Sequence, residues 1–130
     1  MKNIVLLLCV FSFLGCHKHG EETGAYVVNI TINKPIANQV VSKNTTLPIN
    51  VFITRDNNAV IHNVKIEITD AMGATIETLI NKHYHESGKV TFNDTYTPKN
   101  TGNFKLKVTS TADIGEEPQP NISEVAFIVN

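Results

Sequence analysis

Leu47-Pro48-Ile49-Asn50-Val51-Phe52-Ile53-Thr54 is the stretch on which the fold turns. Leu47, Ile49, Val51 and Ile53 recur at every second position, the period of a strand with one face buried. Pro48 cannot donate to a ladder, which confines it to the start of the strand or to an edge. Working outward, the same period returns in Val28-Ile30-Ile32 on one side. On the other it returns in Val64-Ile66-Ile68, Ile76-Thr78-Ile80, Val90-Phe92, Phe104-Leu106-Val108 and Val125-Phe127-Val129. Turn-forming clusters separate the runs: Asn33-Lys34-Pro35, Asp56-Asn57-Asn58, Asp70-Ala71-Met72-Gly73, Ser87-Gly88, Pro98-Lys99-Asn100-Thr101-Gly102, and residues 115–121. Beyond residue 15 there are 24 Ile plus Val against three Leu. β-Branched side chains suit a pleated surface, and no stretch offers a helical period.

Seven short runs with turns every eight to twelve residues predict an all-β fold. The expected form is an immunoglobulin/fibronectin-like antiparallel β-sandwich of about seven strands without a disulfide. Asn100-Thr101-Gly102-Asn103-Phe104-Lys105-Leu106 resembles the corner before the sixth strand of such domains, with Phe104 in place of the usual Tyr and Leu106 in place of the usual Cys. With no Trp and no inter-sheet disulfide, the resemblance is to fibronectin-like and bacterial immunoglobulin-like relatives, and burial must supply the stability.

The chain has 130 residues, 42% hydrophobic and 18% charged, with a formal net charge of −1, which fits one domain of ordinary size or a small domain plus an appended segment. That balance gives no electrostatic footprint for nucleic acid. Met1-Lys2-Asn3 is a positive start, and Ile4 to Leu14 is apolar except for Ser12. Eleven residues are too few for a spanning helix, which needs about 20, but they fit the apolar region of a secretory signal. Phe13-Leu14-Gly15-Cys16, followed by the polar His17-Lys18-His19-Gly20-Glu21-Glu22, resembles the lipobox of bacterial lipoproteins, in which the Cys is lipidated and becomes the mature N-terminus. Gly15 fits that pattern, and Phe13 stands where Leu is usual. An ordinary cleaved signal with an incidental Cys is the alternative. The expected division is a signal peptide over 1–15, a flexible tether over 16–25 from lipidated Cys16, and the sandwich over 26–130. The resemblance implies an outer-membrane lipoprotein, periplasmic or surface-exposed, that touches the membrane through its lipid. Glu21-Glu22 soon after the Cys is similar to the export signals of Bacteroidota surface lipoproteins.

Chemistry-bearing motifs are few. The sequence holds no G-x-S-x-G, no P-loop, no GxGxxG and no H-E-x-x-H, so a non-catalytic protein is expected. Histidine is the polar type that stands out. His17, His19, His62, His83 and His85 all lie beyond residue 15. His83-Tyr84-His85 sits at a strand end, where period two puts both imidazoles on one face, and His17-Lys18-His19 repeats the spacing in the tether. Imidazole suits Cu, Zn or Ni ions, and carboxylate completes such sites. The bland alternative is a set of solvated polar residues. A hairpin turning at Ala71-Met72-Gly73, with Gly73 at positive φ, sets Val64 beside Ile80, Ile68 beside Ile76 and His62 beside Lys82. His62 then lies near the pair but on the opposite face from His83. A one-residue slip, or a bend after Asn81, would reconcile them.

The order lipobox, His-containing tether, Ile30-Thr31-Ile32-Asn33-Lys34-Pro35, Ile61-His62-Asn63-Val64-Lys65-Ile66, His83-Tyr84-His85 and a Val-rich last strand is similar to small Bacteroidota lipoproteins with one histidine-bearing immunoglobulin-like domain. That resemblance implies a His at the start of the third strand and another after the fourth, matched by His62 and His83. It implies no activity. The acidic loop with Asp113, Glu116 and Glu117 is a candidate docking surface for an envelope protein partner, with a calcium site or a solvated, Pro-stiffened loop as alternatives. Tyr26, Tyr84 and Tyr96 are too dispersed to form a carbohydrate platform. Two functions follow as expectations: transition-metal binding by the histidines, or an accessory module docking on another envelope protein.

Overall fold

The computed structural model describes residues 25–113 and 120–130. The signal segment, Cys16, His17, His19, Glu116 and Glu117 lie outside the described residues. Among the described residues eight strands run β1 (Asn29–Lys34), β2 (Gln39–Val41), β3 (Leu47–Thr54), β4 (Val60–Asp70), β5 (Thr75–Ser87), β6 (Lys89–Tyr96), β7 (Gly102–Thr111) and β8 (Asn121–Val129), with a 3-10 turn at Asp56–Asn58 between β3 and β4. They form two sheets, one of order β1-β3-β6 and one of order β2-β8-β7-β4-β5. This is the immunoglobulin-like sandwich that the alternation predicts.

The run that opens the sequence reading becomes β3, the middle strand of the smaller sheet, with Leu47, Ile49, Val51 and Ile53 all buried. It pairs β6 without a break from Leu47↔Tyr96 to Thr54↔Lys89. Pro48 stands second in β3, beyond Asn50, where β1 stops pairing, so on that side the strand is already an edge there. Facing it across the core are Ile61, Val64, Ile66 and Ile68 of β4, Leu106 and Val108 of β7, and Phe127 of β8. Leu106, in the position that a Cys holds in disulfide-bonded relatives, is wholly buried. Phe104 stacks on Phe127 at 5.8 Å between ring centroids.

Two details depart from the sequence reading. β2 is an eighth, three-residue strand, parallel to β8. Three residues cannot display a period, so no pattern announced it. The second is the β4–β5 hairpin. Its turn is as expected, with Gly73 at φ 90° and the Asp70 carboxylate accepting the Met72 and Ala74 N–H groups. The predicted register, however, holds only beside the turn, at Thr69↔Thr75. Ile68 then faces Glu77, Ile66 faces Ile80, Val64 faces Lys82 and Asn63 faces His83. The predicted pairs Val64–Ile80, Ile68–Ile76 and His62–Lys82 are therefore wrong. Each register shift adds one residue to β5, and the third leaves His62 opposite both Tyr84 and His85, between the pairs Asn63↔His83 and Ile61↔Glu86. Among the described residues β5 is an edge strand with no neighbour on its outer side, so it can bulge without breaking a second ladder there.

Candidate metal centre

The third bulge brings three histidines together. Ile61 and Val64 are both fully buried although three positions apart, so strict alternation in β4 breaks across His62-Asn63. His62, His83 and His85 each offer one ring nitrogen, and the three nitrogens lie within 4.8 Å of one another. Ring centroids are 6.1 Å apart for His62–His83, 5.6 Å for His62–His85 and 4.5 Å for His83–His85. His62 is nearly enclosed, with 13% of its side chain exposed, and His83 and His85 face solvent.

Hydrogen bonds fix the ring orientations. Asn63 Nδ2 donates to the Ala112 carbonyl at 3.1 Å, so its Oδ1 is the atom 2.8 Å from His83 Nδ1. An amide oxygen only accepts, hence His83 Nδ1 carries a proton, and in the neutral ring its Nε2 presents a lone pair. His83 Nε2 is 2.8 Å from His85 Nε2, which must then donate. One ring is thus preset as a ligand, by the kind of outer contact that orients metal-binding imidazoles. His85 must exchange its Nε2 proton before the same atom can ligate.

The chain before β1 supports the third ring. Tyr26 is buried, and its hydroxyl accepts the His62 backbone N–H at 3.1 Å while bonding Ser110 Oγ at 2.8 Å. Its ring lies 5.8 Å from that of His62, with the Arg55 guanidinium over it at 4.5 Å. Asn121 holds this segment through both ends of its amide, accepting from Val28 N and donating to Tyr26 O. Tyr84, inside the bulge, lies under the Lys82 ammonium at 4.6 Å. Burial first, and the Glu86 carboxylate second, push its phenol above the ordinary 10.0, so it stays protonated at neutral pH.

Of the residues that the sequence singled out, His62, His83 and His85 come together, through the bulge at Tyr84-His85 and not through the one-residue slip that the sequence suggests. Asp113 lies beside them, its Oδ2 3.9 Å from His62 Nδ1 and 3.8 Å from His83 Nε2. Sequence reasoning missed Tyr26 and Asn63. Tyr26 enters the sequence reading only as one of three dispersed tyrosines, and Asn63 gains meaning only between its partners His83 on β5 and Thr111 on β7.

The class that fold and site define is an immunoglobulin-like β-sandwich with a three-histidine cluster at the open end of one hairpin. No protein-family model and no curated protein matches the chain. Solved structures do. The solution structure of the CARDB domain of a Pyrococcus furiosus protein is similar at a TM-score of 0.55 with 13% identity, covering 78% of this chain and 93% of that one. A crystal structure of the same domain, in complex with di-metal ions, gives 0.50 and 14%, over 79% and 85%. Fibronectin(III)-like modules of Clostridium thermocellum CbhA align at 0.48 and 14%, over 78% and 94%. At such identities the likeness to the CARDB domain shows a shared fold.

Proposed function

We propose that this protein is a non-catalytic, lipid-anchored binding module of a bacterial envelope that captures a transition metal ion through His62, His83 and His85. The observation that carries the reading is the convergence of three imidazole nitrogens within 4.8 Å, with the His83 tautomer set by Asn63. Ligands around zinc, at bonds of about 2.0–2.1 Å, stand roughly 3.3 Å apart in a tetrahedron. Small ring rotations would close the cluster onto Cu, Zn or Ni. That a CARDB domain was crystallised with di-metal ions adds nothing at 14% identity; the reading rests on this chain's own histidines. The lipid on Cys16 and the outer-membrane location rest on the sequence resemblance alone.

Calorimetric titration of the full chain in detergent, carrying His17→Ala and His19→Ala to silence the tether, tests this. Zinc and copper are expected to bind below ~100 µM, an affinity of about 5.5 kcal/mol. His83→Ala/His85→Ala is expected to abolish the binding. Equal binding by the two proteins, or none by either, refutes the reading.

A second reading is an accessory module that docks on an envelope protein. It is favoured by β5, a thirteen-residue strand at the sheet edge with Ile76 half exposed. Lys82 and Glu86 on that strand and its three bulges weaken the case, because charges and bulges protect edges from pairing.

A further inference from the structure

We propose that the Asp113 carboxylate is the fourth ligand of this site, closing an N3O sphere suited to zinc. The inference deepens the metal-binding reading and rests on it. Asp113 follows β7 by two residues, and β7 pairs β4 regularly up to Asn63↔Thr111, which carries the chain past the histidines. The same Asn63 amide that presets His83 also holds the Ala112 carbonyl, so one side chain positions both a ligand and the backbone next to the carboxylate. Asp113 Oδ2 lies 3.9 Å from His62 Nδ1 and 3.8 Å from His83 Nε2, about half an ångström beyond the ~3.3 Å spacing of tetrahedral ligands. Its side chain is 42% exposed, leaving room to swing toward His85.

Charge argues the same way. Three neutral imidazoles leave a bound divalent ion at +2 beside the enclosed His62, and one carboxylate halves that. Three protein ligands and an open position make a reactive zinc site, whereas four make a closed one that stores the ion. With Asp113 as fourth ligand the sphere is closed, which suits capture over chemistry.

The test uses the full chain with His17→Ala and His19→Ala, alone and with Asp113→Asn or Asp113→Ala. Zinc affinity is read by competition with a chelator, and coordination by the visible spectrum of the protein loaded with cobalt(II). Both Asp113 variants are expected to bind zinc at least ~10-fold more weakly, with metal-free melting unchanged. The cobalt bands, intense in a tetrahedral field, should weaken and shift. Binding within twofold of the parent together with an unchanged cobalt spectrum overturns the role of Asp113 and leaves the three-histidine site standing. A parent that binds no zinc overturns both.

Discussion

Two ladders of this sandwich differ in how regularly they pair. β3 and β6 pair over eight consecutive positions with no irregularity. β4 and β5 pair with three register shifts in a longer hairpin. The difference follows from what each strand must do. β3 is central in its sheet and buries every second residue, so a slip of one would turn Leu47, Ile49, Val51 and Ile53 to solvent. β5 lies at an edge and buries none of its thirteen residues, so slippage costs it little. The regular ladder carries stability, and the irregular one is free to aim side chains.

That contrast can be broken by mutation. Leu106, buried on β7, whose ladders with β4 and β8 are as regular as that of β3 with β6, should cost about 2–5 kcal/mol on truncation to Ala, measured by denaturant unfolding. A loss under ~0.5 kcal/mol would place the inter-sheet core elsewhere. His83→Ala/His85→Ala, in the irregular part, should leave metal-free stability within ~0.5 kcal/mol while removing metal binding. Zinc at 100 times its Kd should stabilise the parent by about 2.7 kcal/mol, seen as a rise in melting temperature that the double variant lacks.

Tyr26→Phe sharpens the boundary between the two regions. It deprives the His62 N–H and the buried Ser110 hydroxyl of a partner and should cost about 1–3 kcal/mol. Zinc binding should weaken as well, and a variant with normal affinity would free His62 from dependence on Tyr26.

The smallest effect is expected on the outer face of β4. The Lys65 ammonium, 2.6 Å from Glu67, holds the Glu67 carboxyl below the ordinary 4.5 against the opposing effect of burial, and the Thr75 hydroxyl helps. A folded-state value below the unfolded one means stability that is present above pH 4.5 and lost as pH falls through the lowered value. Glu67→Gln should therefore cost under ~1 kcal/mol at neutral pH, because Lys65 is 41% exposed. The difference from the parent should vanish in acid, and a difference that grows there would reverse the sign of the linkage.

The division between regular and irregular also set what could be read from the sequence. Leu47 to Ile53, Phe104 to Val108 and Val125 to Val129 announced their strands because burial on one face writes a period of two. Gly73 announced its turn through a positive φ that few other residues accept. The slip beyond Thr69 left no such mark, because an exposed edge strand imposes no apolar pattern on the residues that bulge. The histidines were visible as a set, but their convergence was not. Asn63 and Tyr26 were ordinary residues until the pairing of β4 with β5 and β7, and the return of the first described residues to β8, gave them partners.

Anomalous diffraction from crystals grown with zinc tests the central claim most directly. A single strong peak at the zinc edge, about 2.0–2.2 Å from one nitrogen each of His62, His83 and His85, is the predicted result. Crystals that show no peak at the open end of the β4–β5 hairpin, or peaks only on scattered surface residues, would contradict it.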